Sequence, residues 1–255
     1  MFARYCALLL PLLLASAGTP AEASPGASRL NQGVVVLFGT SSVNDTFGRL
    51  IERDLQRAGY TVVRRGYPVA GLARPDFCDL SEQLARLPIS PKTDAVLVYL
   101  GGNDAQALWL RPEERPTDGD PWVRWDDERW PAFYRARTRR LIGDACSRGA
   151  KRVVVLAPVD VAGSGTQHRL ERIRRLQRQA AKATPCGRFL STSGDVGQLG
   201  DARQPLRSPD GRHMTRVGSV RVWKRIQARV QRLISADGAS QSPSRAHTPR
   251  GSEAP

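Results

Sequence analysis

An aspartate and a histidine stand three residues apart in PDGRHMT (209–215), in a chain that has only three histidines. A carboxylate at that distance can hold an imidazole in one tautomer and stabilise its charged form, as a general base requires. The same residues also fit a polar turn at the start of a helix. Asp210 and His213 are therefore weighed together with Ser41 in GTSS (39–42), Gly71 in GLARPDF (71–77) and Asn103 in GGND (101–104). A serine hydroxyl becomes a nucleophile when a neighbouring base takes its proton. A bare glycine N–H and an asparagine amide are donors that can stabilise an oxyanion. Each has an ordinary counterpart: Ser41 or Ser42 as a helix cap, Gly71 as a loop glycine, Gly101 to Asn103 as a turn. Ser42 rivals Ser41 as nucleophile, and the spacing after Gly39 favours Ser41. His168 opens an arginine-rich helix and His247 lies in the C-terminal tail, which leaves His213 as the candidate base.

These residues need elements to position them. VVVLF (34–38) is a short β-branched run, read as a buried strand. A helical segment follows it, with an Asn or Asp cap and a stop at Gly59. YTVVRR (60–65), DAVLVYL (94–100), KRVVVLAP (151–158) and GRFLST (187–192) read as four further strands. Helices are expected over Trp130 to Cys146, over QHRLERIRRLQRQAAKA (167–183) with Leu170, Ile173 and Leu176 on one side, and from DGRHMT to about Ser235. In the last, Val220, Trp223, Ile226, Val230 and Leu233 are expected to face inward. Residues 105–127, rich in Trp, Pro and charge, read as irregular. Alternating strands and helices predict a three-layer α/β/α sandwich on a parallel, flavodoxin-like five-stranded sheet. In such sheets the chemistry gathers beyond the carboxyl ends of the strands, where Ser41, Gly71 and Asn103 fall.

The first 23 residues, MFARYCALLLPLLLASAGTPAEA, combine Arg4, an apolar run too short to span a bilayer and small residues with cleavage sites after Ala17 or Ala23. They read as a secretory signal peptide. A linker (24–32), one domain (33–235) and a polar tail (236–255) follow, and no later segment is apolar enough for membrane insertion. The expected location is the periplasm or the exterior. Cys78, Cys146 and Cys186 would then allow one disulfide, and the last two, each shortly before a strand, are the favoured pair. No CxxC occurs and no cysteine has a histidine at ligand spacing, so no metal site is expected. The formal charge of +15 raises nucleic acid as a partner. The absence of a nucleic-acid-binding motif and the signal peptide argue against it.

Ser, Gly, Asn and Asp-x-x-His, in this order and at these places, resemble the blocks of the SGNH hydrolases, also called the GDSL family. The matching residues are Gly39-Thr40-Ser41, Gly71, Gly101-Gly102-Asn103-Asp104 and Asp210-Gly211-Arg212-His213, and the resemblance covers about residues 33–235. GLARPDF and DGRHMTRVG are similar to a poorly characterised bacterial secreted branch. Thr40 stands where the family has Asp, Ser42 where it usually has an aliphatic residue, and Arg212 puts a charge inside the DxxH block. The resemblance implies Ser41 as nucleophile, His213 as base and Asp210 as its orienting partner. The oxyanion would meet the N–H groups of Ser41 and Gly71 and the Asn103 side chain. It implies acyl transfer without a cofactor: ester hydrolysis, or transfer of the acyl group to a sugar hydroxyl. The expected location outside the cytoplasm points to O-acyl, above all O-acetyl, esters on an envelope glycan or exopolysaccharide as the substrate. Arg74, Asp104, Gln106, Trp122 and Trp125 are then the candidates for substrate binding, the tryptophans by stacking on sugar rings or merely by pinning their loop. Thr40 and Arg212 also fit a non-catalytic glycan-binding or assembly protein on the same fold.

Overall fold

The computed structural model describes residues 33–116, 119–161, 164–194 and 205–235. The leader, the linker and the tail expected from sequence lie outside them. Five strands, β1 (Val34–Thr40), β2 (Thr61–Tyr67), β3 (Thr93–Tyr99), β6 (Val153–Leu156) and β7 (Gly187–Leu190), form one sheet in the order β2-β1-β3-β6-β7. All four pairings are parallel. This is the expected flavodoxin-like order.

The sheet is covered on both faces because side chains alternate along each strand. Val35 and Leu37 of β1 face one side, with α1 (Ser41–Asn44), α2 (Thr46–Arg57) and α6 (Arg216–Ser235). Val36 and Phe38 face the other, with α3 (Leu80–Ala85), α4 (Trp130–Ser147) and α5 (Ser164–Lys182). On α6 the inward residues are Val222, Trp223, Ile226, Val230 and Ile234. Val220 and Leu233, expected inside, are only half-buried, because the buried stripe is set by Ser219 and Val222 and runs on by three- and four-residue steps.

The stretch expected to be irregular holds a small antiparallel hairpin, β4 (Leu108–Trp109) with β5 (Trp122–Val123), closed by edge-on packing of Trp109 and Trp122 at 4.9 Å. Two-residue strands leave too little alternation to be read in advance. Cys146, near the end of α4, is joined to Cys186, just before β7. Cys78 is a free, half-buried thiol.

Candidate active site

The chain leaves β1 for one side of the sheet and later returns to add β3 on the other. The carboxyl ends of β1 and β3 therefore flank the crevice where the strand order reverses. Gly39 lets the two strands meet there: a Cβ on it would lie 2.1 Å from the Tyr99 carbonyl oxygen. Thr40 ends β1, and Ser41 opens the single turn of α1. This turn is tied to β2. The Asn44 amide donates to the Gly66 carbonyl at 2.8 Å and its oxygen accepts from Gly66 N–H at 3.2 Å. Arg64 donates to the Val43 carbonyl at 3.0 Å. Ser41 thus sits at a sharp corner with a clamped backbone.

Beyond β3, Gly101 adopts φ 120° and the chain closes a 3-10 turn over Gly102–Asp104. Asn103 donates one amide hydrogen to the Ala70 carbonyl at 3.0 Å, which fixes the side chain and leaves its second hydrogen available. Asp104 is fully buried. Its carboxylate accepts from Ala73 N–H and from the Tyr134 hydroxyl, each at 2.9 Å. Burial pushes the Asp104 carboxyl up to about 6, against the pull of these hydrogen bonds. A Cβ on Gly71 would lie 2.4 Å from the Asp104 carboxylate, so the glycine is required by this close approach. Arg137, itself buried, donates to the Leu72 carbonyl at 2.7 Å and pairs with Glu114. Asp104 ties the loop after β2 to the turn after β3, and Arg137 ties the same loop to α4 and to Trp109. Val69 in that loop has φ 58°, a left-handed conformation that costs a β-branched residue energy.

Asp210 and His213 lie in the turn before α6. Packing of α6 on α2, with the Trp223 indole donating to Asp54 at 2.7 Å, brings this turn toward the β1 end of the sheet. The His213 Nδ1 lies 2.5 Å from an Asp210 carboxylate oxygen, and Asp210 also accepts from the N–H groups of Arg212 (2.9 Å) and His213 (3.0 Å). The contact with the His213 ring, followed by these N–H groups, holds the Asp210 carboxyl well below the usual range. With Nδ1 engaged, Nε2 is the ring nitrogen left for a reacting partner. The buried Arg207 supports the turn by donating to the Arg212 carbonyl at 2.7 Å, and burial lowers its own pKa.

Ser41, Asn103 and His213 line one cleft of about 580 Å³, together with Thr40, Ser42, Gln106 and an apolar wall that includes Val69, Val161 and Leu170. A hydroxyl, an imidazole with an ionised carboxylate behind it and an amide donor in one concavity have the parts for acyl transfer. Gln106 reaches the cleft and donates to the Asn103 carbonyl at 2.5 Å. The other expected contact residues stand outside its lining. Asp104 is closed to solvent. Arg74 is committed to Asp76 and stacks on Trp122, at 4.9 Å from its ring centre. Trp125 packs on Trp130 and carries the guanidinium groups of Arg169 and Arg172, at 5.2 and 4.9 Å. Gly71 borders Asn103 and Asp104 behind the cleft wall. Sequence reasoning misses the supports Arg137 and Arg207, since nothing in an arginine-rich chain separates a buried arginine from a solvated one. Among the described residues no three His, Cys, Asp or Glu side chains gather where they could hold a metal ion.

Residues 34–229 match the family model described as "Protein of unknown function (DUF459)". No curated protein matches in sequence. Solved structures do match in fold. One is LAE5, an alpha/beta hydrolase enzyme from the metagenome of Lake Arreo, at 17% identity and a TM-score of 0.58 over 79% of this chain and 96% of that one. Another is a variant of Axe2, an acetyl-xylooligosaccharide esterase from Geobacillus stearothermophilus, at 17% identity and 0.53 over 81% and 95%. A third is a member of the lipolytic protein G-D-S-L family from Veillonella parvula, at 10% identity and 0.54 over 78% and 98%. The matched span covers most of the domain, and the chain accordingly belongs to the DUF459 family, built on the SGNH hydrolase fold.

Proposed function

We propose that the protein is a secreted or periplasmic serine esterase that removes acyl groups, acetyl above all, from cell-envelope glycans or exopolysaccharides. The observation that carries this reading is the meeting of Ser41, Asn103 and His213 in one cleft at the switch point of the sheet, with Asp210 behind the imidazole. In this reading His213 Nε2 takes the Ser41 proton as the Ser41 oxygen bonds to the ester carbonyl carbon. The carbonyl oxygen takes the negative charge, opposite the N–H of Ser41 and the second amide hydrogen of Asn103, while Gly71, outside the cleft lining, borders Asn103 from behind. His213 returns the proton to the departing sugar hydroxyl as the ester C–O bond breaks. Water then attacks the acyl-serine by the same route in reverse and frees the acid. A second sugar hydroxyl in place of that water would make the same site a transferase.

An acetyl ester is supported by apolar residues, Val69, Val161 and Leu170, in the same cleft as Ser41 and by the name of the Axe2 neighbour. Secretion is supported by the Cys146–Cys186 disulfide, and no described helix is long and apolar enough to cross a membrane. Hydrolysis of 4-nitrophenyl acetate tests the reading. The wild type turns it over, and Ser41→Ala and His213→Ala each lose at least about a thousandfold in kcat/KM. Undiminished turnover in Ser41→Ala rejects the assignment.

A further inference from the structure

Arg212 has no place in the reaction described above, yet it lines the same cleft as Ser41 and His213. Its guanidinium makes no hydrogen bond or ion pair among the described residues, and only its backbone is engaged, through Arg207 and Asp210. Arg169 lines the cleft from α5. One of its nitrogens is anchored on the Ala105 carbonyl at 2.9 Å and its guanidinium rests against Trp125, so it is held in place, but no carboxylate pairs with it either. Most described carboxylates near arginines are spoken for elsewhere: Asp76 by Arg74, Asp79 by Arg111, Asp160 by Arg174. Among the described residues no aspartate or glutamate lines the cleft. Among the described residues the cleft therefore carries two guanidinium groups that no carboxylate pairs with, and the acidic group just behind it, Asp210, is taken up by His213, in a chain of formal charge +15. Concave walls of low polarisability concentrate such a field and favour an anionic ligand. Both residues are exposed, so a ligand can reach them from solvent.

Resting on the esterase reading above, we infer that the substrate is an acidic one: a glycan whose sugars carry carboxylates, gripped by Arg169 and Arg212 on either side of the acyl group that Ser41 attacks. Arginine suits this role because its planar fork meets a carboxylate with two parallel hydrogen bonds. Arg212 is adjacent in sequence to the base, so a carboxylate bound there sets the position of the neighbouring ester. Arg169 supplies a second point of attachment across the cleft.

The test compares an oligomer of galacturonic acid with its methyl ester, in which each carboxylate is replaced by a neutral ester one methyl larger, by calorimetric titration into the full-length mature protein. The acid form is expected to bind at least roughly tenfold tighter than the methyl ester, and the preference to shrink as salt is raised from about 50 to about 500 mM. Arg212→Ala and Arg169→Ala are each expected to cut the preference roughly tenfold, and Arg212→Lys to retain part of it. Equal affinity for the two forms, or a preference that survives in the Arg169→Ala/Arg212→Ala double variant, overturns the inference. This readout needs no turnover. Loss of the esterase reading would instead appear as 4-nitrophenyl acetate hydrolysis that is absent or indifferent to Ser41→Ala. Acetate release from O-acetylated galacturonan and from its methyl ester adds a second arm. Faster release from the acid polymer supports the acidic glycan as substrate, and equal release from both overturns it.

Discussion

Asp104 stands in the GGND block as an expected substrate contact, and its burial gives it another task. It joins the loop after β2 to the turn after β3 through Ala73 and Tyr134, and so sets Gly71 and Asn103 relative to each other. Its folded carboxyl, raised from 3.8 to about 6, favours the protonated form. The stability it contributes is thus complete below about 4 and is lost as the pH rises through about 6. Urea unfolding should show the wild type's margin over Asp104→Asn shrinking by on the order of 2–3 kcal/mol across that window. A margin that stays constant or grows contradicts the burial account. Asp210 behaves oppositely. Held well below the usual range by the His213 ring and by the N–H groups of Arg212 and His213, it is an ionised carboxylate at neutral pH.

The elements explain what was legible in the sequence. Four strands of the main sheet are short runs with β-branched residues, β7 (GRFL) being the exception, and the residue types at or beyond the ends of β1, β2 and β3, Gly-Thr-Ser, Gly and Gly-Gly-Asn-Asp, are those a tight strand-to-turn corner needs. Strand positions, the inward face of α5 and the cleft residues Ser41, Asn103 and His213 could therefore be read from pattern. Partnership could not. That Arg74 is spent on Asp76 and Trp122, that Trp125 is clasped by two arginines and that Arg207 is buried under Arg212 are outcomes of tertiary packing with no local periodicity. The disulfide lies between these cases, since the position of Cys146 and Cys186 before two neighbouring strands suggests it. It closes a 40-residue separation that spans β6 and α5. Replacing both cysteines by alanine should lower unfolding stability by about 2–4 kcal/mol through the freed denatured chain. An unchanged urea midpoint would show that α4 and β7 hold together without it.

At the scale of the whole molecule, the parallel sheet gathers residues from both ends of the domain. Two apolar layers, one beneath α2 and α6 and one beneath α3, α4 and α5, hold the strands so that β1 and β3 open at a common rim. The turn before α6 arrives there only because α6 packs beside α2. The departures Thr40 and Arg212 leave this architecture intact: Thr40 is buried at the end of β1 and Arg212 faces the cleft. What the molecule does depends on whether that rim activates one hydroxyl. A fluorophosphonate probe that reacts with activated serines, followed by peptide mass spectrometry, addresses this without any knowledge of the substrate. The account predicts a single adduct on Ser41 that disappears in His213→Ala. A label on Ser42 or elsewhere, or no label on the folded protein, would contradict it.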